Sequence, residues 1–179
     1  MFSSRPDRPG RPARLSTLLL ALAVAGCAGV RPSAAPTPTA PTTTAQRTAV
    51  AEALAVERQW LGTWFRDTPV RVAQGNDGAV SLEVPREFSF DPGRSSVKPA
   101  LAAVLDKVAE SLLRVPLAQV ALLAAPDDSA VTTPLAVQRA GRVRDHLRSR
   151  GVPEARLGPP TAAATASVQL RLIAAPASP

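Results

Sequence analysis

The pattern of apolar and polar positions changes character four times along this chain, and each change predicts a different kind of segment. Leu15 to Ala25 is an apolar run broken only by Ser16 and Thr17. Arg31 to Ala45 reads RPSAAPTPTAPTTTA and has no apolar period at all. Over residues 46–67 the apolar positions Val50, Leu54, Leu61 and Trp64 recur near helical spacing, with Ala53 and Ala55 as good helix formers. Trp60 falls off that stripe and Gly62 weakens the last turn, so an amphipathic helix is predicted. It either packs on the domain that follows or forms a self-association seam, although two heptads are too few for a coiled coil.

After Pro69 the period drops to two. Val70 and Val72 alternate with polar or small neighbours, Gly75-Asn76-Asp77-Gly78 signals a turn, and Val80, Leu82 and Val84 alternate again. This predicts a hairpin whose second strand continues through Phe88 and Phe90 to a turn at Asp91-Pro92-Gly93. Val97, Leu101, Val104, Leu105, Val108 and Leu112 then mark one face of a helix that Pro116 ends. Gln119–Ala124 is a short apolar run suited to a strand buried on both faces. Thr133-Pro134 reads as N-cap and first turn of a second helix, with Leu135, Ala140, Val143 and Leu147 on one face and Gly151 at its end. Val168, Leu170 and Leu172 alternate in a last strand. The order strand–helix–strand–helix–strand after a hairpin predicts an α/β (α+β) sandwich, with helices on one face of a mixed sheet.

Composition narrows the function. The formal charge is +7, but four arginines and one aspartate lie within residues 1–26, so their removal leaves +4. No dense basic stripe interleaved with aromatics remains, which argues against nucleic acid as a partner. One cysteine and one histidine exclude an intramolecular disulfide and offer no metal-ligand spacing. No nucleophile–base pair or phosphate loop is visible, so neither a cofactor nor an enzymatic activity is expected. His146 has no second histidine or cysteine near it on its helix and is expected at the surface or half-buried.

The lone cysteine matters because of its position. Residues 1–26 combine an arginine-bearing start, the apolar run and small residues, as an export signal does. The eleven-residue apolar run spans about 16 Å as a helix, roughly half of a bilayer core, which disfavours a transmembrane reading. Val24-Ala25-Gly26-Cys27 resembles the lipobox of bacterial lipoproteins. That resemblance implies cleavage before Cys27, acyl chains on its thiol and a membrane as partner; two or more chains anchor stably where one is marginal. Ala28, rather than aspartate, implies sorting to the outer membrane, with the rest of the chain facing the periplasm. Residues 27–45 would then be a lipidated end and a Pro/Thr-rich tether, whose fifteen-residue core reaches roughly 45 Å if extended.

Two stretches carry a second resemblance. PREFSFDPGRSSVKPALAAVLDKVAESL resembles the opening of OmpA-like domains, and LAVQRAGRVRDHLRSRGVPEARL resembles their second helix, with Leu135, Arg139-Ala140, Val143, Leu147 and Gly151-Val152 in register. The resemblance assigns residues 68–175 to an OmpA-like β-α-β-α-β domain and implies peptidoglycan binding through the diaminopimelate of the stem peptide. The implied binding residues are Asp127, at the aspartate of a Gly-His-Thr-Asp-type motif that here reads Ala124-Ala125-Pro126-Asp127, together with Arg139 and Thr132. A zwitterionic ligand end calls for one anionic partner and one guanidinium. In that register Arg139 lies in the second turn of its helix, pointing back toward the N-terminal end. Thr132 stands where the family has asparagine, the loop after Asp127 is shorter, and Thr165-Ala166-Ser167 replaces an Asn-Arg-Arg. Two readings follow: a lipoprotein tethering the outer membrane to the wall, or an envelope interaction protein that keeps the fold, has lost wall binding and serves protein partners.

Overall fold

The computed structural model describes residues 43–129 and 133–175. The export signal, Cys27, the tether before residue 43 and Thr132 lie outside the described residues.

Helix α1 (Thr43–Trp64) starts three residues earlier than its periodicity predicts and ends three earlier. Phe65–Thr68 closes it as a turn, with Asp67 in the left-handed region at φ 62°. Val50, Leu54 and Leu61 are buried in the common core, so this helix packs on the domain. Trp64 instead stands 55% exposed. The stripe is completed by Glu57, a carboxylate left only 7% exposed. Arg114 answers that charge with a two-pronged bond, Nε to Oε1 at 2.9 Å and Nη2 to Oε2 at 2.6 Å. Its guanidinium lies 3.9 Å from the Trp60 ring centre, which puts the off-stripe tryptophan to use as a packing surface.

The hairpin pairs β1 (Arg71–Gln74) with β2 (Val80–Pro85) through the predicted turn. Asp77 accepts from the Ala79 N–H, and Gly78 takes φ +75°, a conformation that suits glycine. The second strand does not run on to Phe90. Pro85 has no N–H with which to extend the ladder, and Arg86–Ser89 turns instead into a short helix, α2. The Ser89 hydroxyl seals it by donating to the Pro85 carbonyl at 2.9 Å. Phe90 is thereby buried while Phe88 is left 40% exposed.

Helix α3 (Pro99–Arg114) buries Leu101, Val104, Leu105, Val108 and Leu112, as its spacing predicts, with Val97 packed just ahead of it. Strand β3 (Ala118–Ala125) is buried on both faces only at its end, over Leu123–Ala125; a register break between Val120 and Leu122 leaves Ala121 exposed and Leu122 38% exposed. Helix α4 (Pro134–Ser149) opens on Thr133, whose hydroxyl accepts from the Leu135 N–H, and ends before Gly151 at φ +91°. A three-residue strand absent from the sequence expectation, β4 (Pro160–Ala162), lies parallel to β3, and β5 (Ser167–Ala174) returns antiparallel between β2 and β3. The sheet order is β1-β2-β5-β3-β4. Val80, Leu82, Val84, Val168, Leu170 and Leu172 point into the core beneath the helices, whereas Ser81, Glu83, Gln169 and Arg171 occupy the partly exposed opposite face.

Candidate functional site

The end of β3, the turn after α2 and the first two turns of α4 meet at one edge of the domain. β3 stops at Ala125 because buried Pro126 has no N–H to give the sheet. Asp127 follows, and its carboxylate closes the loop. Oδ2 accepts from the Thr133 N–H at 2.7 Å and the Thr133 hydroxyl at 2.5 Å, and Oδ1 accepts from the Asp128 N–H at 2.7 Å. The Thr133 hydroxyl bond, helped by these backbone N–H groups, outweighs partial burial and lowers the Asp127 pKa to about 2.

Arg139 sits one helical turn and a half into α4, on the same stripe as Ala136, Ala140, Val143 and Leu147, and is 0% exposed. A guanidinium without water needs an acceptor in nearly every donor direction. Nε donates to the Arg94 carbonyl at 2.8 Å, Nη1 to the Pro126 carbonyl at 3.0 Å, and Nη2 to the Asp91 carbonyl at 3.0 Å. The charge is balanced by Asp128, whose Oδ1 lies 2.8 Å from Nη2, and the Phe90 ring centre stands 4.9 Å from the guanidinium carbon. Asp128 Oδ2 also takes the Gly93 N–H at 2.6 Å. That bond first, and then Arg139, holds the Asp128 carboxyl below the usual carboxylate range. Arg86 fixes the backbone beneath by donating to the carbonyls of Asp127 and Asp128 at 2.9 and 2.8 Å.

Asp127 and Arg139 are thus brought to one edge, but among the described residues no bond joins their side chains. The partner of Arg139 is the next aspartate along. Elsewhere, half-buried His146 meets Asp106 at 2.7 Å, and Arg150 reaches the same carboxylate, linking α4 to α3. Among the described residues, no cluster of His, Cys, Asp and Glu is able to hold a metal ion, and no helix is long and apolar enough to cross a membrane.

No family model matches the sequence, and no curated protein does. Solved structures do match. A MotB-like protein from Desulfovibrio vulgaris superimposes with a TM-score of 0.58 at 16% identity, covering 74% of this chain and 97% of that one. The cell wall anchor of the T6SS from Pseudomonas aeruginosa gives 0.50 at 19% identity, over 72% and 99%. The periplasmic domain of MotB gives 0.51 at 15% identity, over 60% and 69%. This chain has the OmpA-like fold.

Sequence reasoning missed Asp128, Phe90 and the Asp91–Arg94 turn as partners of Arg139, and Arg86 as the residue that holds the Asp127–Asp128 backbone. One signal was available. Arg139 falls on the apolar stripe of α4, where an unpaired cation is costly, so a carboxylate partner was required. Which of the two adjacent aspartates supplies it depends on how the loop turns, and that is a tertiary property.

Proposed function

We propose that this chain is a bacterial lipoprotein, held at the outer membrane by acyl chains on Cys27, whose periplasmic OmpA-like domain engages the diaminopimelate stem peptide of peptidoglycan at the Asp127–Arg139 edge. The observation that carries this reading is a buried guanidinium whose outward-facing partner is a carboxylate, next to a helix N-terminus. Such an edge has the donors that a ligand carboxylate requires. The fold is shared with a protein described as a cell wall anchor, which supports the same task here. The Pro/Thr-rich stretch supplies the reach between membrane and wall.

A second reading is favoured by one feature. All the bonds of Arg139 are made within the domain, as expected of a brace in an envelope interaction protein that has given up the wall. Sedimentation of the full chain in detergent with purified diaminopimelate-type sacculi separates the two. Pelleting that free meso-diaminopimelate reverses is expected; a protein that stays in the supernatant refutes wall binding and leaves the interaction reading. For the anchor, Cys27→Ser is expected to release the protein from membranes or block its processing, and a normally processed, membrane-bound variant refutes lipidation.

A further inference from the structure

We infer that Asp128 is a built-in occupant of a carboxylate-binding site centred on Arg139, and that an outside carboxylate reaches the guanidinium only when the Asp128 side chain swings away. The inference deepens the wall-binding reading and rests on it for the identity of the outside ligand.

The bonds of Arg139 are of two kinds. Three go to backbone carbonyls, of Asp91, Arg94 and Pro126, and these hold the guanidinium plane in place. They are neutral dipoles. The fourth goes to a carboxylate, which alone among the described residues balances the charge. Arg139 has no exposed surface, while the Asp128 side chain is 34% exposed, so the carboxylate stands between the guanidinium and water. Its two oxygens are divided between Arg139 and the Gly93 N–H. A cation and a backbone N–H that take one oxygen each form a receptor for any carboxylate of that size.

The two aspartates differ in what release would cost. Asp127 is tied by three donors, two of them on Thr133, the N-cap of α4, so moving it loosens the start of the helix. Asp128 is held by two bonds at its side chain, and its backbone is pinned separately by Arg86. A rotation about its side-chain bonds vacates the site without moving the chain. An intramolecular competitor acts at an effective concentration set by its tether, typically millimolar for a short one. Removing it raises an affinity that the resting protein displays only in part.

The test uses the full chain in detergent as wild type, Asp128→Ala and Asp128→Asn, with acetate as the probe and chloride at equal ionic strength as the control. Asp128→Ala is expected to melt several degrees below wild type, and acetate but not chloride to restore it; wild type is expected not to respond. Asp128→Asn keeps an acceptor without the charge and falls between the two. On sacculi, Asp128→Ala is expected to reach half-saturation at about tenfold lower sacculus concentration than wild type. If the alanine variant folds only when acetate is added, the inference also stands. No acetate-specific effect on Asp128→Ala overturns it. Wild-type pelleting that Asp128→Ala leaves unchanged overturns the competitor role and spares the wall reading. An acetate effect without pelleting by any variant upholds the site and removes peptidoglycan as its ligand.

Discussion

Replacing Arg139 with alanine is the sharpest single perturbation this structure offers. The change leaves the carbonyls of Asp91, Arg94 and Pro126 without their donor and strips Asp128 of its counter-charge. Breaking a buried pair by removing one partner costs about 3–5 kcal/mol, and each stranded buried polar group about 1–3 kcal/mol. These figures do not add, because water enters the cavity and Asp128 is already a third exposed to it. A net loss of about 3–4 kcal/mol is expected, enough to lower Tm by roughly 10 °C. Arg139→Lys is expected to lose about 2 kcal/mol, since a single ammonium cannot face acceptors placed around a planar fork. Urea unfolding of the full chain, followed by the fluorescence of Trp60 and Trp64, measures both. A loss below about 1 kcal/mol for the alanine variant would refute the account of Arg139 as the brace of this edge. Lost wall binding in Arg139→Ala would therefore report unfolding as readily as a missing contact. The Asp128 variants avoid that ambiguity.

Three further outcomes are expected. Leu54→Ala, in a side chain with no exposed surface on α1, is expected to cost about 2–5 kcal/mol in the same urea assay; a near-neutral result would mean that α1 is not part of the cooperative core. Gly78→Ala combines φ +75° with a Cβ 2.9 Å from that of Ala51 and is expected to cost about 1–3 kcal/mol, read as a lowered Tm, with an unchanged Tm showing that the turn relaxes freely. Asp127 has a folded pKa of about 2 against an ordinary 3.8, so its contribution is full above about pH 4 and fades as pH falls toward 2. The Tm gap between wild type and Asp127→Asn is therefore expected to be widest near neutrality and to close on acidification; a gap independent of pH would refute the cap.

Periodicity located most of the fold because one face of each element is buried. The alternation at Val80–Val84 and Val168–Leu172 and the stripe of α3 were legible because inward positions must be apolar and outward ones need not be. Where no such contrast exists, the pattern says nothing. β4 is Pro160-Thr161-Ala162, three half-buried residues that become a strand only because β3 offers a free edge. Phe88 and Phe90 have the spacing of a strand, yet the missing N–H of Pro85 and the Ser89 hydroxyl turn the chain into α2. Glu57 is a carboxylate set into an apolar stripe, and its partner, Arg114, comes from 57 residues away, where no local pattern points to it.

The candidate site divides the same way. Sequence alone determined that an aspartate follows the strand that became β3 and that Thr133 opens α4, because each is a local consequence of residue type and spacing. Only the tertiary structure decided what those groups do to one another. Once buried, Arg139 needs acceptors in nearly every direction it donates, and the chain brings them from three separate places: the turn after α2, the end of β3, and Asp128 beside it. Desolvation makes those long-range bonds obligatory, and no local pattern encodes which distant carbonyl or carboxylate will make them.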